Sequence, residues 1–210
     1  MADDAPTTIR VRRLSRRDLM RRSAIIGGGG VAAAWATPML ESLAQTGTAG
    51  SPVGDCGRMT GGGKFEFDNI STTGDGGGGF TLHCNLAAQP PHPQNLVVTF
   101  KDANNKENQF KLTDLDYALC TDDPDIDQGP NADFDTFNGR GRGTLRIGNG
   151  PARTGYRIEF TFIDGGEPGK QTDSGAVQIY GPGDVLVRSA SGFVDRGNLQ
   201  AHYATGTRSC

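Results

Sequence analysis

From residue 56 onward, apolar residues recur at every second position in short runs, and each run is soon broken by Gly, Pro, Asn or Asp. Period-two alternation sends successive side chains to opposite faces, as in a half-buried strand, and no stretch carries the i, i+3, i+4, i+7 spacing of an amphipathic helix. The runs predict strands at residues 64–68, 80–86, 95–101, 109–112, 143–147, 154–163, 176–180, 184–189 and 199–204. In the longest, Tyr156, Ile158, Phe160 and Phe162 share one face, so it belongs at the centre of the core. Gly181-Pro182-Gly183 is read as a tight hairpin link. About nine short strands at near-regular spacing predict an all-β fold, a single β-sandwich or a partly open β-barrel, between which the pattern does not choose. His83 and His202 alternate out of phase with their apolar neighbours and are expected to face solvent.

The first 44 residues follow another logic. Ser15-Arg16-Arg17-Asp18-Leu19-Met20-Arg21 resembles the twin-arginine export signature, with Leu19, Met20 and Arg21 as conservative departures. A weakly apolar Gly/Ala-rich run, residues 24–40, comes next, and Ser42-Leu43-Ala44 offers small residues for signal peptidase. Ala34-Trp35-Ala36 is a second cleavage candidate. The resemblance implies an export signal over residues 1–44, recognised by the twin-arginine translocase and signal peptidase. Residues 45–55, rich in Gly, Thr, Ser and Pro without periodicity, read as a flexible linker, and residues 56–210 as the β-domain. A domain that folds before crossing a membrane forms its disulfides late, as reinforcement.

Composition narrows the function classes. Glycine is heavily over-represented at 32 of 210 residues, and no apolar run approaches the roughly 18 to 20 residues of a membrane span, so no transmembrane anchor is expected in the mature chain. Residues 1–44 hold seven of the 21 basic and four of the 24 acidic residues, which leaves 14 against 20 and a net charge of −6 beyond them. The one dense basic run, Arg10 to Arg22, lies in the export signal, so nucleic acid is not an expected partner. All four cysteines, Cys56, Cys84, Cys120 and Cys210, lie beyond the signal without a C-x-x-C spacing, which in an exported domain reads as disulfides. Three pairings are open. Cys84 with Cys120, pinning the root of the loop after the fourth strand, and Cys56 with Cys210, bracketing the domain, form the favoured set.

The second half of the chain carries a distinctive order of short motifs. Gly141-Arg142-Gly143, Asn149-Gly150 and the 156–162 strand precede the turn Asp164-Gly165-Gly166-Glu167-Pro168-Gly169 with Asp173, and Gly197-Asn198-Leu199-Gln200-Ala201-His202 closes the series. This order resembles a family of small β-domains of exported bacterial proteins that often accompany choice-of-anchor modules, the post-COAP domains. Weaker similarity begins near Gly61-Gly62-Gly63. The resemblance implies no catalytic residue. Turn chemistry alone accounts for Asp164 as an Asx-turn acceptor, and a turn role is expected for it and for Glu167.

Candidate chemistry centres on Asp122-Asp123-Pro124-Asp125-Ile126-Asp127-Gln128-Gly129, followed by Asn131, Asp133 and Asp135. Asp123, Asp125 and Asp127 reproduce the first three alternate ligands of a calcium loop, but Gln128 and Phe134 stand where an EF-hand needs Gly and Glu, so a solvated acidic loop is the favoured reading over calcium. No other cofactor motif is present, and the cysteines and histidines are not spaced as a zinc site. No G-x-S-x-G elbow occurs around Ser174 or Ser191. Long polar loops on a β scaffold favour an exported, non-catalytic module that binds a surface, a polymer or a protein. The alternatives are a secreted hydrolase working through paired carboxylates and a barrel that carries an apolar ligand.

Overall fold

A computed structural model describes residues 51–52, 57–68, 76–86, 93–102, 104–126 and 132–203. Nine strands follow one another: β1 (Ser51–Pro52), β2 (Arg58–Asp68), β3 (Gly76–His83), β4 (Asn95–Lys101), β5 (Glu107–Asp122), β6 (Thr136–Ile147), β7 (Ala152–Ile163), β8 (Ser174–Tyr180) and β9 (Leu186–His202). From β2 onward each strand pairs antiparallel with the next, and β9 returns to pair along β2, from Arg58 with His202 to Asp68 with Ser191. The result is a closed eight-stranded up-and-down barrel, with β1 added at the far end of β5 through Ser51 with Asp122 and Pro52 with Thr121. Closure removes the sheet edges that a sandwich would leave. Of the two expected architectures, the barrel is the one formed.

The interior is packed with side chains. Phe65, Phe80, Phe100, Phe110, Phe137, Phe160 and Phe162 are buried among Met59, Leu82, Leu96, Leu145, Ile158, Ile179, Val194 and Leu199. The Phe80 and Phe162 rings stack at 4.2 Å, and Phe160 sits 5.2 Å from Phe162 and 6.0 Å from Phe137. Strand β6 makes room for them by presenting glycine inward. A Cβ on Gly139 would lie 2.2 Å from Cζ of Phe160, and one on Gly143 would lie 2.5 Å from Cζ of Phe110. The alternation Gly139-Arg140-Gly141-Arg142-Gly143 is therefore a strand whose inner face has no side chains and whose outer face carries arginines. Beside Phe80 and Phe162 a void of about 10 Å³ remains, room for about one water.

The strand pattern is partly as expected. Tyr156, Ile158, Phe160 and Phe162 do line one face of the core. The two strands expected at 184–189 and 199–204 give way to one 17-residue strand, β9, from Leu186 to His202, and β5 runs ten residues beyond the expected end at Leu112. Bulges in β5 between Leu112 and Asp114 and between Leu115 and Tyr117 interrupt the alternation there, which hides the strand from a period-two reading. His83 is not at the surface. It is 6% exposed, because Gln94 returns across the end of β3, accepting from its backbone N–H at 2.7 Å and donating to its carbonyl at 3.3 Å. His202 keeps an outward position, half-buried, with Nε2 3.1 Å from Thr60 Oγ1.

Candidate functional site

Consecutive antiparallel strands place their connections alternately at the two ends of the barrel. At the turn end β4 leads to β5, β6 to β7 and β8 to β9, and at the loop end β3 leads to β4, β5 to β6 and β7 to β8. The loop end also holds the Cys84–Cys120 disulfide, with Cα atoms 5.8 Å apart, which ties the end of β3 to β5. This is the expected pairing for these two residues, and such bridges persist in oxidising compartments. Cys56 and Cys210 lie outside the described residues, as do the export motif Ser15, Arg16 and Arg17 and the calcium candidate Asp127.

The polar centre of the loop end is the 164–173 loop, clamped onto β9. Strand β8 pairs with β9 only as far as Ser174 with Phe193, so beyond that point β9 offers unpaired N–H groups on the side away from β2. Carboxylates take the place of the missing strand. Asp173 Oδ2 accepts from Leu199 N–H at 2.6 Å, and Asp164 Oδ2 from Ala201 N–H at 2.8 Å. The second oxygen of each shapes the loop itself, Asp173 Oδ1 accepting from Gly165 N–H and Asp164 Oδ1 from Gly166 N–H. The Asp164 Asx-turn expected from the sequence is thus present. Glu167, at the tip, accepts from Asn198 Nδ2 at 2.7 Å and from Gln200 Nε2 at 2.8 Å, and the following peptide bond to Pro168 is cis. Gly169, at φ 70°, lies so close to this network that a Cβ would fall 2.6 Å from Asp173 Oδ2. The two segments singled out in the sequence, 164–173 and 197–202, therefore form one structural unit.

Its electrostatics follow from depth. Asp173 is wholly buried, and desolvation pushes its carboxyl from 3.8 up to about 6, with the charges of Asp164 and Glu167 adding to the shift and the two N–H donors opposing it. Glu167 is exposed, and the amides of Asn198 and Gln200 hold its carboxyl below the usual range. Burial and the nearby Arg58 lower His202, against the pull of Asp164. Asp173 has the raised carboxyl of a general acid but not the access: both oxygens accept from backbone N–H groups within the fold.

Asp135 ties together the described ends of the acidic loop. Asp135 is buried, its Oδ2 accepts from Asp123 N–H at 2.9 Å, and Thr136 Oγ1 donates to its Oδ1 at 2.5 Å. Its carbonyl accepts from Asp164 N–H at 2.8 Å, which joins this loop to the clamp. Asp123 Oδ1 accepts from Asp125 N–H at 3.0 Å, a local Asx turn that uses one of the expected calcium ligands, and Tyr203 donates to Asp133. Among the described residues no group of three or more His, Cys, Asp or Glu side chains is placed to hold a metal. Asp135 and Asp173 are the residues whose roles the sequence reading missed; both are aspartates in turn-rich stretches, a signal shared by many exposed ones. Among the described residues, no helix is long and apolar enough to cross a membrane. Comparison with protein-family models, with curated proteins and with solved structures returned no match.

Proposed function

We propose that this chain is exported through the twin-arginine route and works outside the cytoplasm as a non-catalytic module that binds its partner on its outer surface. The packed interior carries this reading: a barrel filled by phenylalanine rings leaves the wall and the two ends for recognition. The buried carboxylates of the loop end are committed to backbone N–H groups, which suits a scaffold that holds its loops still. The Cys84–Cys120 bridge, the ordered signal features around Arg16-Arg17 and the resemblance to post-COAP-type domains of exported proteins support the same compartment. A two-carboxylate hydrolase would need an acid and a second carboxylate facing a shared cleft, and the acid with the raised value, Asp173, is enclosed.

Capture of the tagged chain from the envelope of the cells that make it tests this reading. The expected result is a reproducible partner recovered chemically intact. A partner recovered cleaved, with cleavage lost in Glu167→Gln, would show an enzyme instead.

A further inference from the structure

The turn end carries an apolar tip. Val185, Leu186 and Val187 are 64%, 47% and 43% exposed, three consecutive aliphatic side chains where β8 turns into β9, and Ile147, at the neighbouring β6–β7 turn, is 44% exposed. Four of the six large apolar residues exposed among those described therefore gather at this one end.

The tip is held rigidly. Gly181 N–H donates to the Val185 carbonyl at 2.8 Å, and Asp184 is ion-paired to Arg157 at 2.7 Å. The Arg157 guanidinium lies 3.6 Å from the centre of the Tyr180 ring and also meets Glu159 at 2.6 Å. A fixed hairpin thus keeps aliphatic groups in water, which marks an interaction site more than a packing accident. Beside it, Arg146 and Arg153 flank the β6–β7 turn, exposed and with no salt bridge among the described residues. Asp184, the acid on the tip itself, shares Arg157 with Glu159, so this cluster keeps one net negative charge, which the two arginines outweigh.

We infer that the turn end docks on an anionic lipid surface, with Val185, Leu186 and Val187 entering the headgroup and acyl boundary and Arg146 and Arg153 meeting lipid phosphates. Size and charge select this occupant. The four apolar side chains that the described residues place there are far too few for a stable protein interface, which takes about 800 Å² from each partner, so a second copy of the chain is poorly suited. Shallow entry into a lipid boundary asks only for a few apolar groups with cations beside them. The inference rests on the binding-module reading and names the class of surface that the module would meet.

Co-sedimentation of the full chain with vesicles tests it, using phosphatidylglycerol vesicles against phosphatidylcholine vesicles at low and high salt. The wild-type chain should pellet with the anionic vesicles, less at high salt, and weakly with the neutral ones. Val185→Asp with Leu186→Asp should weaken binding at least about tenfold, as should Arg146→Glu with Arg153→Glu. Melting temperatures should stay unchanged, and Lys170→Glu at the loop end should bind as wild type does. If the apolar variant unfolds, the arginine variant decides. No binding to anionic vesicles overturns the inference. Binding that both variants leave intact also overturns it, because residues 1–44, basic and then apolar, would then be the part that binds. So does dimerisation without lipid that the apolar variant abolishes. If vesicles fail and envelope capture still yields an intact partner, the lipid inference falls and the module reading stands.

Discussion

Asp164 and Asp173 each spend one carboxylate oxygen on their own loop and the other on a strand, and this division sets what their loss would do. Asp164→Ala strips the acceptor from Ala201 N–H and Gly166 N–H, and should cost about 1–3 kcal/mol in urea unfolding. Asp173 gives a pH signature. Its carboxyl is raised from 3.8 to about 6, so the native state favours the protonated form. As pH falls from about 6 to about 4 the folded chain takes up this proton before the unfolded chain does, and stability rises; above about 6 that contribution is gone. Asp173→Asn removes it. The wild-type chain should therefore gain about 2–3 kcal/mol relative to the variant between pH 7 and pH 4, since a tenfold difference in proton affinity is worth about 1.4 kcal/mol. A difference that does not change with pH would contradict the burial account. The Asx turn at Asp164 was legible because it is local, donor and acceptor lying two residues apart. The bond from Asp173 to Leu199 spans 26 residues and depends on where β8 stops, which one chain of letters does not reveal.

At the scale of elements, β6 shows why a glycine-rich stretch can be a strand. The strand was expected only from Gly143 onward, yet the missing side chains of Gly139 and Gly143 are what lets Phe160 and Phe110 fill the barrel. Gly139→Ala should cost at least about 1–3 kcal/mol, because a Cβ would fall on the Phe160 ring and a packed core relaxes poorly. A stable Gly139→Ala protein would mean a looser interior than described. The β7 alternation was legible from Tyr156 to Phe162 because β6 pairs with it in regular register over that span and β8 does so from Arg157 onward. The bulges of β5 broke the period, and polar residues from Asp195 to Asn198 made β9 look like two strands. The Cys84–Cys120 bridge joins β3 to β5 across 36 residues. Replacing both cysteines by serine should lower stability by about 2–4 kcal/mol and leave the barrel folded, as melting with near-ultraviolet circular dichroism would show. Unfolding at room temperature would make the bridge a requirement of the fold and not a reinforcement.

For the whole molecule, the all-β class followed from period two, and the choice of barrel over sandwich came only with the pairing of β9 along β2, the longest-range strand contact among the described residues. The proposed export belongs to this scale too. Replacing Arg16 and Arg17 together by Lys should strand precursor in the cytoplasm, read by fractionation, and normal processing of that variant would remove the twin-arginine route. A module that binds by its surface predicts where contact must register. Covalent labelling of side chains, compared between the chain in its native envelope and the purified chain, reads that contact whatever the partner is. The expected result is lower reactivity at exposed residues such as Leu186 and Arg146, with the enclosed Met59 unreactive in both states. Identical labelling in the two states, or reactivity changing at Met59 alone, would contradict surface binding.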